Sequence, residues 1–247
     1  MSDHGIDPRN RSAGARLSRD EFLARLRTEA EARYHDRHPF HLKMHAGELS
    51  RAQIQGWTLN RYYYQTRIPI KDAVILSKSE DSAFRRQWIR RIHDHDGYPA
   101  RGDDPGSEGG LALWLRLAAG VGLDVAEVKS CIRVLPAVRF ACDGYVQLVK
   151  ERSLIEAVAS SLTEFFSPDI MTKRLAAWEK HYPWVDPGVQ EYFRSRVPRA
   201  RTDSGEALDF VIEHAKTREL QERCLSAFVT KCDVLWCLLD AVAASYS

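Results

Sequence analysis

The stretch DSAFRRQWIRRIHDHDG, Asp81 to Gly97, reads as one complete helix. Asp81 is a strong N-cap residue, because its carboxylate can accept from amides that the first turn leaves without partners. Gly97 is a natural stop. Between them Phe84, Trp88 and Ile92 step by four, and His95 follows three later. That is the spacing of one helix face, so the inward stripe ends on a histidine.

The same texture extends outward. Ser18 with Glu21, and Ser50 with Gln53, fit capping boxes. The first predicts a helix from about Ser18 to Tyr34 carrying Phe22, Leu23 and Leu26, then a loop around His38 and Pro39. The second predicts a helix carrying Ile54, Trp57, Tyr64 and Ile68. Pro69 should kink or end it, since proline lacks an amide hydrogen. Five glycines and two prolines make 97–110 a loop, and Gly120 and Gly122 break the helix that resumes at Leu111. Further helices are expected over about 136–152, 153–166 and 168–182, with a short one at 189–197. A long stretch over 203–245, bending near Thr217, should place Cys224, Phe228, Leu235 and Leu238 on a core. Strand signals are few. The expectation is one all-α domain over 18–247, a compact bundle of about seven main helices, with a mobile segment at 1–17.

Composition narrows the function. The chain has 247 residues, 44% hydrophobic and 28% charged, enough to bury a core without disulfides. Net charge is 36 − 34 = +2, which offers no overall basic bias toward nucleic acid. No run of about 18 apolar residues suits a membrane span, and Met1 to Leu17 lack the apolar core of a secretory leader. Five cysteines with no CxxC pair support neither a disulfide framework nor a zinc ribbon. A reducing cytoplasm is the expected setting.

Several polar residues fall on apolar faces. Lys231 lies between Phe228 and Leu235, Tyr145 continues Val138 and Ala141 or Cys142, and Arg196 follows Tyr192 by four. Each has a plainer reading. His95 could be a satisfied core histidine, Lys231 could snorkel to water, and Tyr145 could be ordinary core. Arg85, Arg86, Arg90 and Arg91 read as a solvated face. Together the inward residues suggest a polar pocket that suits an anionic ligand. His93 and His95 are two residues apart, unlike the i, i+4 pair that shares a metal on a helix. No GxGxxG or P-loop supports a nucleotide.

Longer motifs carry a resemblance. HPFHLKMHAGELSRAQIQGWTLNRYYYQTRIPIKDA (38–73), RRIHDHDG (90–97), VLPAVRFACDGYV (134–146), SSLTEFFSP (160–168), HYPWV (181–185) and YFRSRV (192–197) occur in this order. Together they resemble the pyrroloquinoline-quinone synthase family over about Tyr34 to Asp240. The resemblance implies a haem-oxygenase-like fold of about seven helices and a homodimer. It implies ring closure and an eight-electron oxidation of a reduced quinone precursor, with O2 as acceptor and hydrogen peroxide released. PQQ is then the product, and no metal, flavin, membrane or nucleic acid takes part.

By the same resemblance, Arg61, Lys71, Arg174, Arg196 and Lys231 meet substrate carboxylates. Tyr34, His35, Tyr64, Gln65, Thr163 and Glu164 add hydrogen bonds. His95 is the general base, because imidazole titrates near neutrality. Tyr192 and Arg196 would stabilise anionic quinol and peroxide, and Tyr145 and Lys231 complete the oxygen-side wall. One position departs from the pattern, which has histidine where this chain has Met171. Either Thr172 or a water then compensates, or substrate contact here is weaker. Rival readings are a quinone-binding carrier, a thiaminase-like hydrolase using a cysteine, and a metal-dependent oxygenase.

Overall fold

The computed structural model describes residues 14–246, and among them every regular element is helical. Eleven α-helices follow in order: α1 Arg19–Arg33, α2 Pro39–Ala46, α3 Arg51–Ser77, α4 Ser82–Asp96, α5 Gly109–Gly120, α6 Val125–Ser130, α7 Pro136–Glu151, α8 Leu154–Ser160, α9 Ser167–His181, α10 Glu191–His214 and α11 Arg218–Ser245. Short 3-10 turns at His35–Arg37, Ser161–Phe166 and Pro187–Gln190 join some of them. Eight helices have twelve or more residues, near the expected seven; the three short ones, α2, α6 and α8, account for most of the rest.

Both capping boxes form, at Ser18–Glu21 and Ser50–Gln53, and the Asp81 carboxylate accepts from the Ala83 amide. Four boundaries differ from expectation. Pro69 does not end α3, which runs on to Ser77. A proline inside a helix costs about 3 kcal/mol. Here α3 is gripped by α4, α5, α7 and α11, and Ile68, Lys71, Asp72 and Ile75 around the proline are buried. Packing therefore outweighs the lost bond. The expected loop at His38–Pro39 opens α2, with proline in the first turn and the His38 ring accepting from the Phe40 amide. The short helix at 189–197 continues through Pro198 to His214. The expected long stretch over 203–245 is two helices, broken at 215–217, where the Thr217 hydroxyl caps α11.

α3 is buried nearly all round from Ile54 to Gln65, the mark of a central helix. α7 and α11 pack together, α8 lies against α11, and α9 and α10 pack as a pair. Trp57, Trp114, Trp178 and Phe193 form an aromatic centre, with Trp57 and Trp114 centroids 5.4 Å apart and Trp178 and Phe193 also 5.4 Å apart. The expected mobile segment 1–17 lies mostly outside the described residues. At its end, the Leu17 amide donates to the Gln221 side chain (2.8 Å) and its carbonyl accepts from the same amide group (3.0 Å). No described helix is long and apolar enough to cross a membrane.

Two glycines set the C-terminal end of α4, where His95 sits. Gly97 and Gly109 have φ of +79° and +80°, a region that L side chains rarely adopt. A Cβ on Gly109 would lie 2.5 Å from the His95 carbonyl oxygen.

Candidate active site

Seven helices and two connecting segments converge on one buried polar cluster. α3 presents Arg61, Tyr64, Gln65, Lys71 and Asp72 at helical spacing. α4 gives Arg91 and His95, α7 Tyr145, α9 Met171 and Arg174, α10 Tyr192 and Arg196, and α11 Lys231. The chain between α1 and α2 adds Tyr34, His35 and, in α2 itself, His41. Ser161 and Thr163 come from the turn before α9. All of these are buried. Glu164, on the same turn, keeps 18% of its side chain exposed. Every sequence-predicted site residue except the partly exposed Glu164 is thus buried.

One end of the cluster is cationic without carboxylates. The Lys231 ammonium donates to the Tyr64 hydroxyl (2.8 Å) and lies 4.0 Å and 3.7 Å from the Tyr64 and Tyr145 ring centres. The Arg61 guanidinium lies 4.0 Å from the Tyr64 ring. Arg174 faces the Trp57 and Phe193 rings at 4.8 Å and 5.4 Å. None of these three forms an ion pair among the described residues, and Arg61 Nη1 and Arg174 Nε are buried with no hydrogen-bond partner. Burial, reinforced by Arg61, pushes Lys231 well below the usual lysine range and Arg174 down to about 9. Snorkelling is excluded for Lys231, which is 1% exposed.

The other end is internally paired. Lys71 Nζ is 2.7 Å from Asp72 and donates to Ser161 (2.8 Å), while the Trp88 indole donates to the same Asp72 oxygen (3.0 Å). Arg91 donates to Glu164 (2.8 Å) and to the Asp203 carbonyl. Burial pushes the Glu164 carboxyl up, but Arg91, Lys71 and Arg196 outweigh it and hold the group down at about 2. His95 sits beside this network. Its Nδ1 is 3.0 Å from the Arg91 carbonyl oxygen. A carbonyl only accepts, so Nδ1 carries the proton and Nε2 keeps a basic lone pair. Burial, then Arg196, hold the ring down to about 3, hence neutral.

Tyr192 and Arg196 link the ends. The Tyr192 hydroxyl donates to Gln65 (2.8 Å), and Gly110 leaves room for its ring, 3.2 Å from where a Cβ would be. Arg196 Nη1 is 3.9 Å from Asp94 and has no hydrogen-bond partner. The Tyr145 hydroxyl meets Ser160 at 3.4 Å. The cluster holds six cationic side chains, Arg61, Lys71, Arg91, Arg174, Arg196 and Lys231, against two carboxylates in direct contact with Lys71 and Arg91, Asp72 and Glu164, and two more beside Arg91 and Arg196, Asp203 and Asp94.

Sequence reasoning misassigned Arg91. It is 3% exposed, not part of a solvated face, while Arg85, Arg86 and Arg90 are exposed. Phe84, Trp88, Arg91 and His95 step by four, three and four and are all buried, whereas Ile92 is only half-buried. The spacing held this signal, but isoleucine was the more apolar choice at the stripe. His41, Asp72 and Ser161 were also missed. His41 was hidden by the loop expected at Pro39. Met171 places its sulfur 3.8 Å from Arg174 Nη1. The Thr172 hydroxyl donates to the Pro168 carbonyl (2.9 Å), so its proton is committed to its own helix.

Burial pushes the Cys142 thiol up to about 11 and the Cys224 and Cys232 thiols to about 12. A thiolate nucleophile, which a cysteine-dependent hydrolase needs, is therefore unsupported at these positions. Among the described residues, no three His, Cys, Asp or Glu side chains group as a metal site.

Helices wrapped around a buried polar cluster give the chain a haem-oxygenase-like fold, as comparison with solved structures shows. The structure superposes on a domain of unknown function with a heme oxygenase-like fold from Shewanella denitrificans, with TM-score 0.75 at 15% identity, covering 93% of this chain and 94% of that one. A TenA homolog from Pseudomonas syringae pv. tomato gives TM-score 0.70 at 12% identity, covering 92% and 96%. The chain belongs to the TENA/THI-4/PQQC family, whose model matches residues 23–241. Within it, the chain is 50% identical over 232 residues to a pyrroloquinoline-quinone synthase of Pseudomonas aeruginosa, covering 94% of this chain and 90% of that one. It is 47% identical over 229 residues to the synthase of Bradyrhizobium diazoefficiens, covering 93% and 86%.

Proposed function

We propose that this chain is a pyrroloquinoline-quinone synthase, closing the last ring and oxidising the reduced precursor by eight electrons, with O2 as acceptor and hydrogen peroxide released. The observation that carries this reading is the excess of buried cations, three of them without a carboxylate, beside a neutral His95 whose Nε2 is free of a proton. A precursor with several carboxylates supplies the missing charge.

Arg61, Arg174 and Lys231 bind carboxylates, with Tyr34, His35, Tyr64, Gln65 and Thr163 adding hydrogen bonds. Charged ligand groups cancel the field of Arg196 and its neighbours. Burial, the larger cause of the value of about 3, remains, but removing the Arg196 part of the depression makes Nε2 a better acceptor for a substrate proton. Tyr192 donates and Arg196 supplies fixed charge as quinol and peroxide anions form. Lys71 and Glu164 hold position beside them. The enzyme works without metal or flavin, as a homodimer in the cytoplasm, with neither a nucleic-acid nor a membrane partner.

Aerobic incubation of metal-stripped protein with the reduced precursor tests this, following the quinone spectrum and oxygen uptake together. The synthase reading expects both signals. Tight binding with neither would leave a quinone carrier.

A further inference from the structure

Beneath Arg174 lies a pair of buried histidines, His35 and His41, 3% and 1% exposed. His41 makes three polar contacts, one to Arg174 and two to His35. Its Nε2 is 3.2 Å from Arg174 Nη2, its Nδ1 is 2.9 Å from the His35 carbonyl oxygen, and that same Nδ1 is 3.2 Å from His35 Nδ1. We propose that His41 is a positioning residue, a tautomer relay in which the Arg174 guanidinium fixes the proton of His41 and His41 in turn fixes that of His35, making His35 a permanent Nε2–H donor to the substrate.

The assignment follows from which partners can only donate and which can only accept. A guanidinium has no lone pair to offer, so His41 Nε2 must be the acceptor. A carbonyl oxygen has no proton to offer, so His41 Nδ1 must be the donor. The opposite tautomer would set N–H against N–H at Arg174 and lone pair against lone pair at His35. A doubly protonated His41 would add a third buried charge beside Arg174 and Arg61. Burial and then Arg174 push His41 far below the usual histidine range, which agrees with a neutral ring.

With His41 Nδ1–H donating, His35 Nδ1 at 3.2 Å can only be the bare nitrogen. The neutral His35 ring must then carry its proton on Nε2. Burial, with Arg61 and Arg174 behind it, keeps that ring neutral too. Donor character thus passes from an arginine to a histidine two residues removed in the network. This end of the cluster then gathers three groups that can only donate, Arg174 Nε, Arg61 Nη1 and His35 Nε2–H, beside the Tyr34 and Tyr64 hydroxyls. It selects for an acceptor group such as a carboxylate and against a hydroxyl or amine that must itself donate. Met171 allows the arrangement to stand, since a thioether accepts weakly and competes little with His41 for the guanidinium.

The selectivity argument rests on the synthase reading; the proton positions do not. Protein with 15N-labelled histidine, without substrate at pH 7, is examined by two-bond 15N–1H correlation NMR. The expected pattern is a neutral Nδ1–H tautomer for His41 and a neutral Nε2–H tautomer for His35. An Nε2–H or doubly protonated His41, or rapid tautomer averaging of either ring, would overturn the relay whatever the enzyme turns over. Two variants extend the test, because a glutamine oxygen reaches the place of Nε2 and an asparagine nitrogen the place of Nδ1. His41→Gln keeps an acceptor for Arg174 but loses the donor to His35, and His41→Asn keeps that donor but loses Arg174. Each breaks one link of the relay, so each should raise KM for the reduced precursor about tenfold with kcat little changed, the signature of lost binding rather than lost chemistry. A KM within about threefold of wild type in either variant would overturn the positioning role.

Discussion

The two ends of the buried cluster solve opposite electrostatic problems. Around Lys71 and Arg91, each cation has a carboxylate within 2.8 Å. Around Arg61, Arg174 and Lys231, aromatic faces and a tyrosine hydroxyl stand where carboxylates would be. Burying an ion without a counterion is costly, and a fold does not need three such ions in one place to hold together. The paired end is structural and tunes His95. On the function proposed above, the unpaired end is destabilising in the free protein and awaits an anionic ligand.

If the ends differ in this way, substitutions should change stability in opposite directions. The largest effect is expected at the paired end. Asp72→Asn leaves Lys71 buried without its counterion and should cost about 3–5 kcal/mol in denaturant unfolding. A cost below about 1 kcal/mol would mean that this end is no better paired than the other. Next is His95→Ala, which should lower turnover at least about a hundredfold, near 2.7 kcal/mol, with precursor binding retained. Unchanged turnover would remove His95 from the base role.

Acid sharpens the contrast. Glu164 is held at about 2 against an ordinary 4.5. Its contribution to stability is present above about 4.5 and is lost as pH falls toward 2. Unfolding midpoints of wild type and Glu164→Gln should therefore converge across that window. The smallest effect is expected at Asp203, which burial pushes up to about 6 from 3.8. Here the folded state holds the proton more tightly, so stability is lost as pH rises from 3.8 through 6. Asp203→Asn should gain about 1 kcal/mol at pH 7, less than the shift alone suggests because the amide forgoes attraction to Arg91.

Much of this was legible from residue spacing. The capping boxes at Ser18 and Ser50 and the Asp81–Gly97 helix are local signals, and local chemistry decides them. What failed was decided by tertiary contact. Pro69 stays within α3 because packing offsets its lost bond, and no window of sequence reports packing. The inward direction of His95, Tyr145, Arg196 and Lys231 could be read from apolar stripes. Most remaining site residues came through the resemblance, since an arginine on a central helix such as Arg61 looks like any surface arginine until its neighbours are known. Arg91 shows the limit, because its position lay on the stripe while its chemistry argued for solvent. His41 needed two things that sequence withheld: a helix starting at Pro39, and an arginine 133 residues away.

The most direct test is the thermal unfolding of wild type and Arg61→Met, each with and without pyrroloquinoline quinone as a polycarboxylate ligand. If the unpaired cations exist for such a ligand, wild type should gain several degrees on binding. Arg61→Met should be the more stable protein without ligand and gain little with it. An Arg61→Met protein that is less stable alone, yet still stabilised by the ligand as much as wild type, would contradict the account.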